Sequence, residues 1–203
     1  MEIIIIGAGG FAKQVIEVCE LTNIKIRGLI NDFAFGHLLG HSILGDMKYL
    51  SILLLNEPHL KIFCGIGDVM VREKIFNLYP DNFVNCIHPD SKISSYSKIE
   101  GTGNYIGPGV CVMQDVIIGN NNIIDPLVVL SHDSHIGDHN HLAAHCCLLG
   151  RVVIKDRNLI GSNSTILPKL TLGSNNILGA GAVLTKSKED NKILVGVPAR
   201  ERS

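Results

Sequence analysis

From Ile106 onward every sixth residue is aliphatic: Ile106, Val112, Ile118, Ile124, Leu130, Ile136, Leu142, Leu148, Ile154, Ile160, Ile166, Leu172, Leu178 and Leu184. If a third of all residues were Ile, Leu or Val, such a run would arise by chance on the order of once in a million, with all six phases allowed. Ile87, Ile93 and Ile99 carry the pattern upstream, with one extra residue before Ile106. The next position is often glycine (Gly107, Gly119, Gly137, Gly161, Gly173, Gly179), and the fifth of each hexad is small or Asn (Val110, Asn122, Ser134, Cys146, Asn158). Neither a helical period of 3.6 nor strand alternation gives six. The pattern predicts a coil of triangular cross-section in which each hexad forms one flat side. The aliphatics stack inward on their counterparts in neighbouring turns. Gly and Asn take the corners, where positive φ or crowding must be tolerated.

Residues 1–85 follow other rules. Glu2–Ile6 is a continuous apolar run, as in a parallel strand covered on both faces. Phe11–Leu21 predicts a helix burying Phe11, Val15, Val18 and Cys19 at helical spacing. Ile24–Ile30 predicts a second strand. After a loop, Lys61–Cys64 predicts a third, and Val69–Leu78 a short helix. The expected organisation is an α/β, Rossmann-like βαβαβ domain over 1–85 and an all-β parallel β-helix over 86–203.

Composition narrows the function. The 203 residues hold 18 Lys+Arg against 19 Asp+Glu, without the basic excess that bulk nucleic-acid binding needs. No apolar run approaches the roughly 20 residues of a membrane span, so neither nucleic acid nor membrane is an expected partner. Six Cys occur without a CxxC spacing. They read as small buried apolar residues in a reducing, cytoplasmic setting.

The Gly7-Ala8-Gly9-Gly10 turn after the first strand, His88-Pro89, the hexads and Gly196-Val197-Pro198-Ala199 together resemble the hexapeptide-repeat acyltransferases. The likeness is to the sialic-acid O-acetyltransferase and bacillosamine N-acetyltransferase type. This resemblance implies a left-handed β-helix and a homotrimer with active sites between subunits, acetyl-CoA lying between adjacent coils. It implies acetyl transfer to the 4-amino group of a nucleotide-linked 4-amino-4,6-dideoxy sugar for a surface glycan. O-acetylation of sialic acid or a related sugar is the alternative.

Five of the nine His fall in Leu130–His145: His132, His135, His139, His141 and His145. By the resemblance His132, followed by Asp133, is the general base, since a carboxylate beside an imidazole orients it and stabilises its protonated form. His141 would polarise the acetyl carbonyl or position CoA, with Gly150, Ser162 and Ala180 lining the CoA site and Lys186 near a CoA phosphate. His135, His139 and His145 read as surface residues. A zinc site of the γ-carbonic-anhydrase kind uses His ligands five residues apart, and no two of these are. No metal is expected. Cys146 and Cys147 have no His-Asp pair of their own, which favours direct attack over an acyl-enzyme.

Gly7–Ala12 fits G-x-G-x-x-[G/A] between a strand and a helix, a turn that aims backbone N–H groups at a diphosphate. Asp32 ends the second strand, where a carboxylate for ribose or base is expected. By the resemblance Gly9, Gly10, Phe11, Asn31, Asp32, Gly65, Ile66 and Gly67 contact the nucleotide sugar. The bacillosamine type carries a His where this chain has Phe11.

Overall fold

A computed structural model of the chain describes residues 1–202, which divide into two compact units, Met1–Pro89 and the residues from Asp90 onward.

The first unit is an α/β sheet. Its strands are β1 (Glu2–Ile6), β2 (Lys25–Ile30), β3 (His37–Leu38), β4 (His41–Gly45) and β5 (Lys61–Cys64). They lie in the order β3-β4-β2-β1-β5. All neighbours are parallel except the β3–β4 hairpin. Ile3–Ile6 of β1 are buried on both faces, which explains the unbroken apolar run. Helix α1 (Gly10–Leu21) buries Ala12, Val15, Ile16, Val18 and Cys19. Phe11, expected in that stripe, is only half-buried and packs edge-on against Phe63 at 6.5 Å. The segment expected as loop holds the hairpin and helix α2 (Met47–Asn56), whose Asp46 cap accepts a hydrogen bond from Tyr49 N. Helix α3 (Val69–Leu78) follows β5 as expected.

The second unit is the left-handed β-helix. Its strands are two-residue rungs stacked in parallel on three faces. Cys111-Val112, Val129-Leu130, Cys147-Leu148 and Thr165-Ile166 run up the first face. Ile117-Ile118, His135-Ile136 and Val153-Ile154 run up the second. Ile123-Ile124, His141-Leu142 and Leu159-Ile160 run up the third. One turn is therefore eighteen residues. The inward aliphatics from Ile106 to Leu184 are at most 3% exposed, each of their side chains contributing roughly 1.5–3 kcal/mol by burial.

The corners differ from expectation in one respect. Positive φ falls on the fourth hexad position, at Asp115, Asn121, Leu127, Asp133, His139, His145, Arg151, Arg157, Asn163, Lys169 and Asn175. It does not fall on the glycine at position two or the Asn at position five. The glycine serves close approach: a Cβ on Gly161 would collide with the backbone of Gly179 and Ala180 one turn on. The Asn residues point inward as a ladder. Asn104, Asn122, Asn140, Asn158 and Asn176 are at most 1% exposed, and the Oδ1 of each of the first four accepts the backbone N–H of the next.

Candidate active site

His132 and Asp133 sit at the corner between the first and second faces, just after the Val129-Leu130 rung. Adjacent residues on an ordinary strand point to opposite sides, but Asp133 has φ 59°. The turn brings its Oδ2 to 2.7 Å from His132 Nδ1. The carboxylate accepts the Nδ1 proton, which leaves Nε2 with a free lone pair. This hydrogen bond, aided by Arg151 with its Nε 3.6 Å from Oδ2, holds the Asp133 carboxyl below the usual carboxylate range. Asp133 therefore remains ionised wherever a neutral imidazole is available to act as a base.

Gly150 occupies the same corner one turn further on. A methyl group there would stand 2.6 Å from Nε2 of His132 and 2.7 Å from Cε1. Its missing side chain is the space into which the basic nitrogen points.

The other residues expected at the acetyl-CoA site occupy a different corner, between the third and first faces. His141, on the third face, places Nε2 2.8 Å from Oδ2 of Asp125, and both side chains are at most a quarter exposed. Ser162 and Ala180 lie at that corner on later turns, after the Leu159-Ile160 and Ile177-Leu178 rungs. The coil thus carries two His–carboxylate pairs. His132, Asp133 and Gly150 share one corner; Asp125, His141, Ser162 and Ala180 share the next. Asp125 and Arg151 are additions to the sequence-derived set. The signal for both was the turn of eighteen, which puts Arg151 directly over Asp133 and Asp125 beside the rung under His141.

The five His do not converge. His135 projects from the second face, His139 takes the positive-φ position of the third corner, between the second and third faces, and His145 that of the corner shared with Ser162 and Ala180. Against expectation, His139 is only 7% exposed and its Nδ1 lies 2.8 Å from Asn121 Nδ2. Among the described residues no three His, Cys, Asp or Glu side chains gather as a metal ion requires. Cys146 points inward with no exposed surface, and burial pushes its thiol up to about 12; burial also raises that of Cys147.

In the first unit, Asn31, Asp32 and Ile66 line a cavity of about 120 Å³ together with Gly7, Phe33 and Met47. Asn31 Oδ1 accepts from the N–H groups of Phe33 and Ala34, each at 2.8 Å, which leaves its Nδ2 donors available. Asp32 Oδ1 accepts from Met47 N. Gly7 has φ +109°, and its N–H donates to Ile30 O. Beside it, Gly9 caps α1 without a side-chain hydrogen bond. A Cβ at Gly9, Gly10 or Gly67 would meet nothing within 4 Å, so backbone there is open to a ligand. Gly65 instead lets β5 pack on α1, where a Cβ would lie 3.0 Å from Ala12. Phe11 does not line the cavity. Buried Arg72 donates from Nη1 to Gly67 O at 3.0 Å and fixes the 65–67 turn. No helix among the described residues is long and apolar enough to cross a membrane.

Two family models match the chain. Residues 2–79 match the PglD N-terminal domain, and residues 115–150 and 151–186 match the bacterial transferase hexapeptide model of six repeats. The structure of PerB from Caulobacter crescentus, in complex with CoA and GDP-perosamine, is 31% identical. All of this chain and 98% of that one are covered, at a TM-score of 0.91. The acetyltransferase domain of PglB from Neisseria gonorrhoeae, in complex with acetyl coenzyme A, is 25% identical over 99% and 98% of the two chains, at 0.89. WeeI from Acinetobacter baumannii is 27% identical over the whole of both, at 0.86. The uncharacterized protein L142 of Acanthamoeba polyphaga mimivirus is 37% identical over 117 residues, which span 57% of this chain but only 23% of that relative. With its two units matched and PerB paralleled from end to end, the chain belongs to the hexapeptide-repeat sugar acetyltransferases of the sialic-acid O-acetyltransferase and bacillosamine N-acetyltransferase type, for which acetyl-CoA is the acetyl donor.

Proposed function

We propose that this protein acetylates the 4-amino group of a nucleotide-linked 4-amino-4,6-dideoxy sugar. The observation that carries this reading is the His132–Asp133 pair, with Nδ1 engaged at 2.7 Å and Nε2 aimed into the space over Gly150. Support also comes from the glycine turn of the first unit and the cavity lined by Asn31 and Asp32, and from PerB, whose complex contains CoA and GDP-perosamine.

The neutral amine attacks the thioester carbonyl carbon while Nε2 of His132 takes its proton. As the tetrahedral adduct collapses the C–S bond breaks, and the imidazolium returns that proton to the departing CoA sulfur. Asp133 stabilises the imidazolium between the two transfers. A thiol pushed up to about 12, as at Cys146, is a poor nucleophile, in keeping with direct attack.

The two corners suggest how the site is completed. On one coil, His132 and the acetyl-CoA residues Ser162 and Ala180 lie on different edges of the triangle. A homotrimer of parallel coils joins one edge of each copy to the next edge of its neighbour, making three composite sites.

The test is release of CoA thiol from acetyl-CoA with UDP-, GDP- and dTDP-linked 4-amino-4,6-dideoxyhexoses and with free sialic acid. Turnover of one nucleotide amino sugar, reduced about 10²- to 10⁴-fold in His132→Ala, is the expected result. Turnover of sialic acid alone makes the protein an O-acetyltransferase. Unchanged rates in His132→Ala remove His132 from the base role.

A further inference from the structure

Two of the six cysteines meet in the core of the first unit. Cys19 lies on α1 one helical turn after Val15, so the two side chains share a face of the helix. Cys86, on the short strand Cys86-Ile87, packs against that face. Its Sγ lies 3.9 Å from the carbonyl oxygen of Val15, the oxygen that accepts the backbone N–H of Cys19 in the helix. The two thiols hydrogen-bond to each other. Both residues fall within Met1–Pro89, and at 0% and 1% exposure neither sulfur stands in bulk water.

The other four thiols stand apart. Cys64 packs among Leu50, Leu53, Ile75 and Phe76 of α2 and α3, in a cluster that holds no residue of α1. Cys146 points into the coil, while its neighbour Cys147 faces outward from a rung of the first face. Cys111 and Cys147 share that face two rungs apart, about 10 Å, beyond the reach of a disulfide. Within the Cys19–Cys86 pair the sulfurs differ. The hydrogen bond from Cys86 holds the Cys19 thiol below its usual range, against burial and the neighbouring Glu20 carboxylate. The same bond, together with burial, holds the Cys86 thiol far above it. Cys19 is the sulfur that attacks and Cys86 the one that resolves.

We propose that Cys19 and Cys86 form a staple set by hydrogen peroxide: a dithiol in reducing surroundings, and under peroxide a disulfide that ties α1 to the Cys86 strand. The sulfur of Cys19 attacks one peroxide oxygen, the O–O bond breaks, and the departing hydroxide takes the thiol proton as water. The sulfur of Cys86 then attacks the sulfenic acid on Cys19. The S–S bond forms, the S–O bond breaks, and the hydroxyl leaves as a second water with the Cys86 proton. Two thiols give up two electrons and two protons, and one peroxide becomes two waters. Burial selects the oxidant, since peroxide is nearly as small as water and a glutathione disulfide is far too large to enter. The bond closes a loop that contains β2 to β5 and both later helices, so it restricts the unfolded first unit and stabilises the folded one.

The experiment treats the full chain with hydrogen peroxide, digests it without reductant and maps the peptides by mass. The expected product is a Cys19–Cys86 cross-link lacking two hydrogens, reversed by dithiothreitol and absent from Cys19→Ala and Cys86→Ala. The oxidised wild type melts at least about 5 °C above the reduced protein, and neither variant gains such a rise from peroxide. Wild-type peptides in which residues 19 and 86 remain thiols, or carry separate sulfinic or sulfonic groups, overturn the staple, and that result depends on no variant folding. A cross-link formed with no rise in the midpoint overturns it as well, because the bond would then lock nothing.

Discussion

At Gly150 the coil carries no side chain at the one place where a methyl group would stand 2.6 Å from Nε2 of His132, the proposed base. The imidazole is the far end of a flexible side chain, so an alanine there is relieved by a χ rotation of His132. That rotation breaks the 2.7 Å bond to Asp133 and removes both the fixed tautomer and the aim of Nε2. Gly150→Ala is therefore expected to lower kcat about 10²-fold with the KM for acetyl-CoA and the thermal midpoint nearly unchanged. Steady-state kinetics with a melting curve checks this, and a rise in the KM for acetyl-CoA at constant kcat would place Gly150 in the CoA site instead. His132–Asp133 was legible in the sequence because the two residues are neighbours there. The Arg151 and Asp125 partnerships were not, since they join residues 18 and 16 apart and become visible only once the length of a turn is known.

Among elements, the coil was readable from its period alone, because every turn must send an aliphatic inward at the same phase. Which hexad position takes positive φ was not readable. His, Leu, Arg and Lys share it with Asn and Asp, each at a backbone cost of roughly 1–2 kcal/mol that the stacked turns on either side absorb. Helix α2 was missed for a related reason. Leu50, Leu53 and Leu54 face the core, but Ile52 and Leu55 are 55% and 81% exposed, so apolar residues on both sides blur the helical period. The asparagine ladder binds one turn to the next. Asn140 Oδ1 accepts from both the backbone N–H and the Nδ2 of Asn158, at 2.9 and 3.1 Å, with no exposed surface. Asn140→Ala strands those donors, and a loss of about 1–3 kcal/mol is expected in chemical denaturation. A variant as stable as the wild type would show that water replaces the missing oxygen.

For the whole molecule, the proposed trimer, with half of each site on either of two edges of one coil, makes a prediction that a monomeric enzyme cannot satisfy. His132→Ala removes the base, and Ala180→Trp blocks the neighbouring corner; each is expected to be inactive alone. When the two are co-expressed and assort at random, about a quarter of the interfaces pair an intact base edge with an intact acetyl-CoA edge, and about a quarter of wild-type activity returns. Continued inactivity of the mixed protein would confine each site to a single chain. The eighteen-residue turn also limits how such a chain can change its length. Because three hexads close one circuit, gaining or losing eighteen residues makes the coil taller or shorter and returns every later side chain to its own edge. Six residues more or fewer turn everything downstream by a third of a revolution. A single hexad lost between Asp133 and Ser162 would leave the hydrophobic column intact while carrying Ser162 and Ala180 to another edge, so the spacing along the chain works as a combination lock that can keep the fold and lose the enzyme.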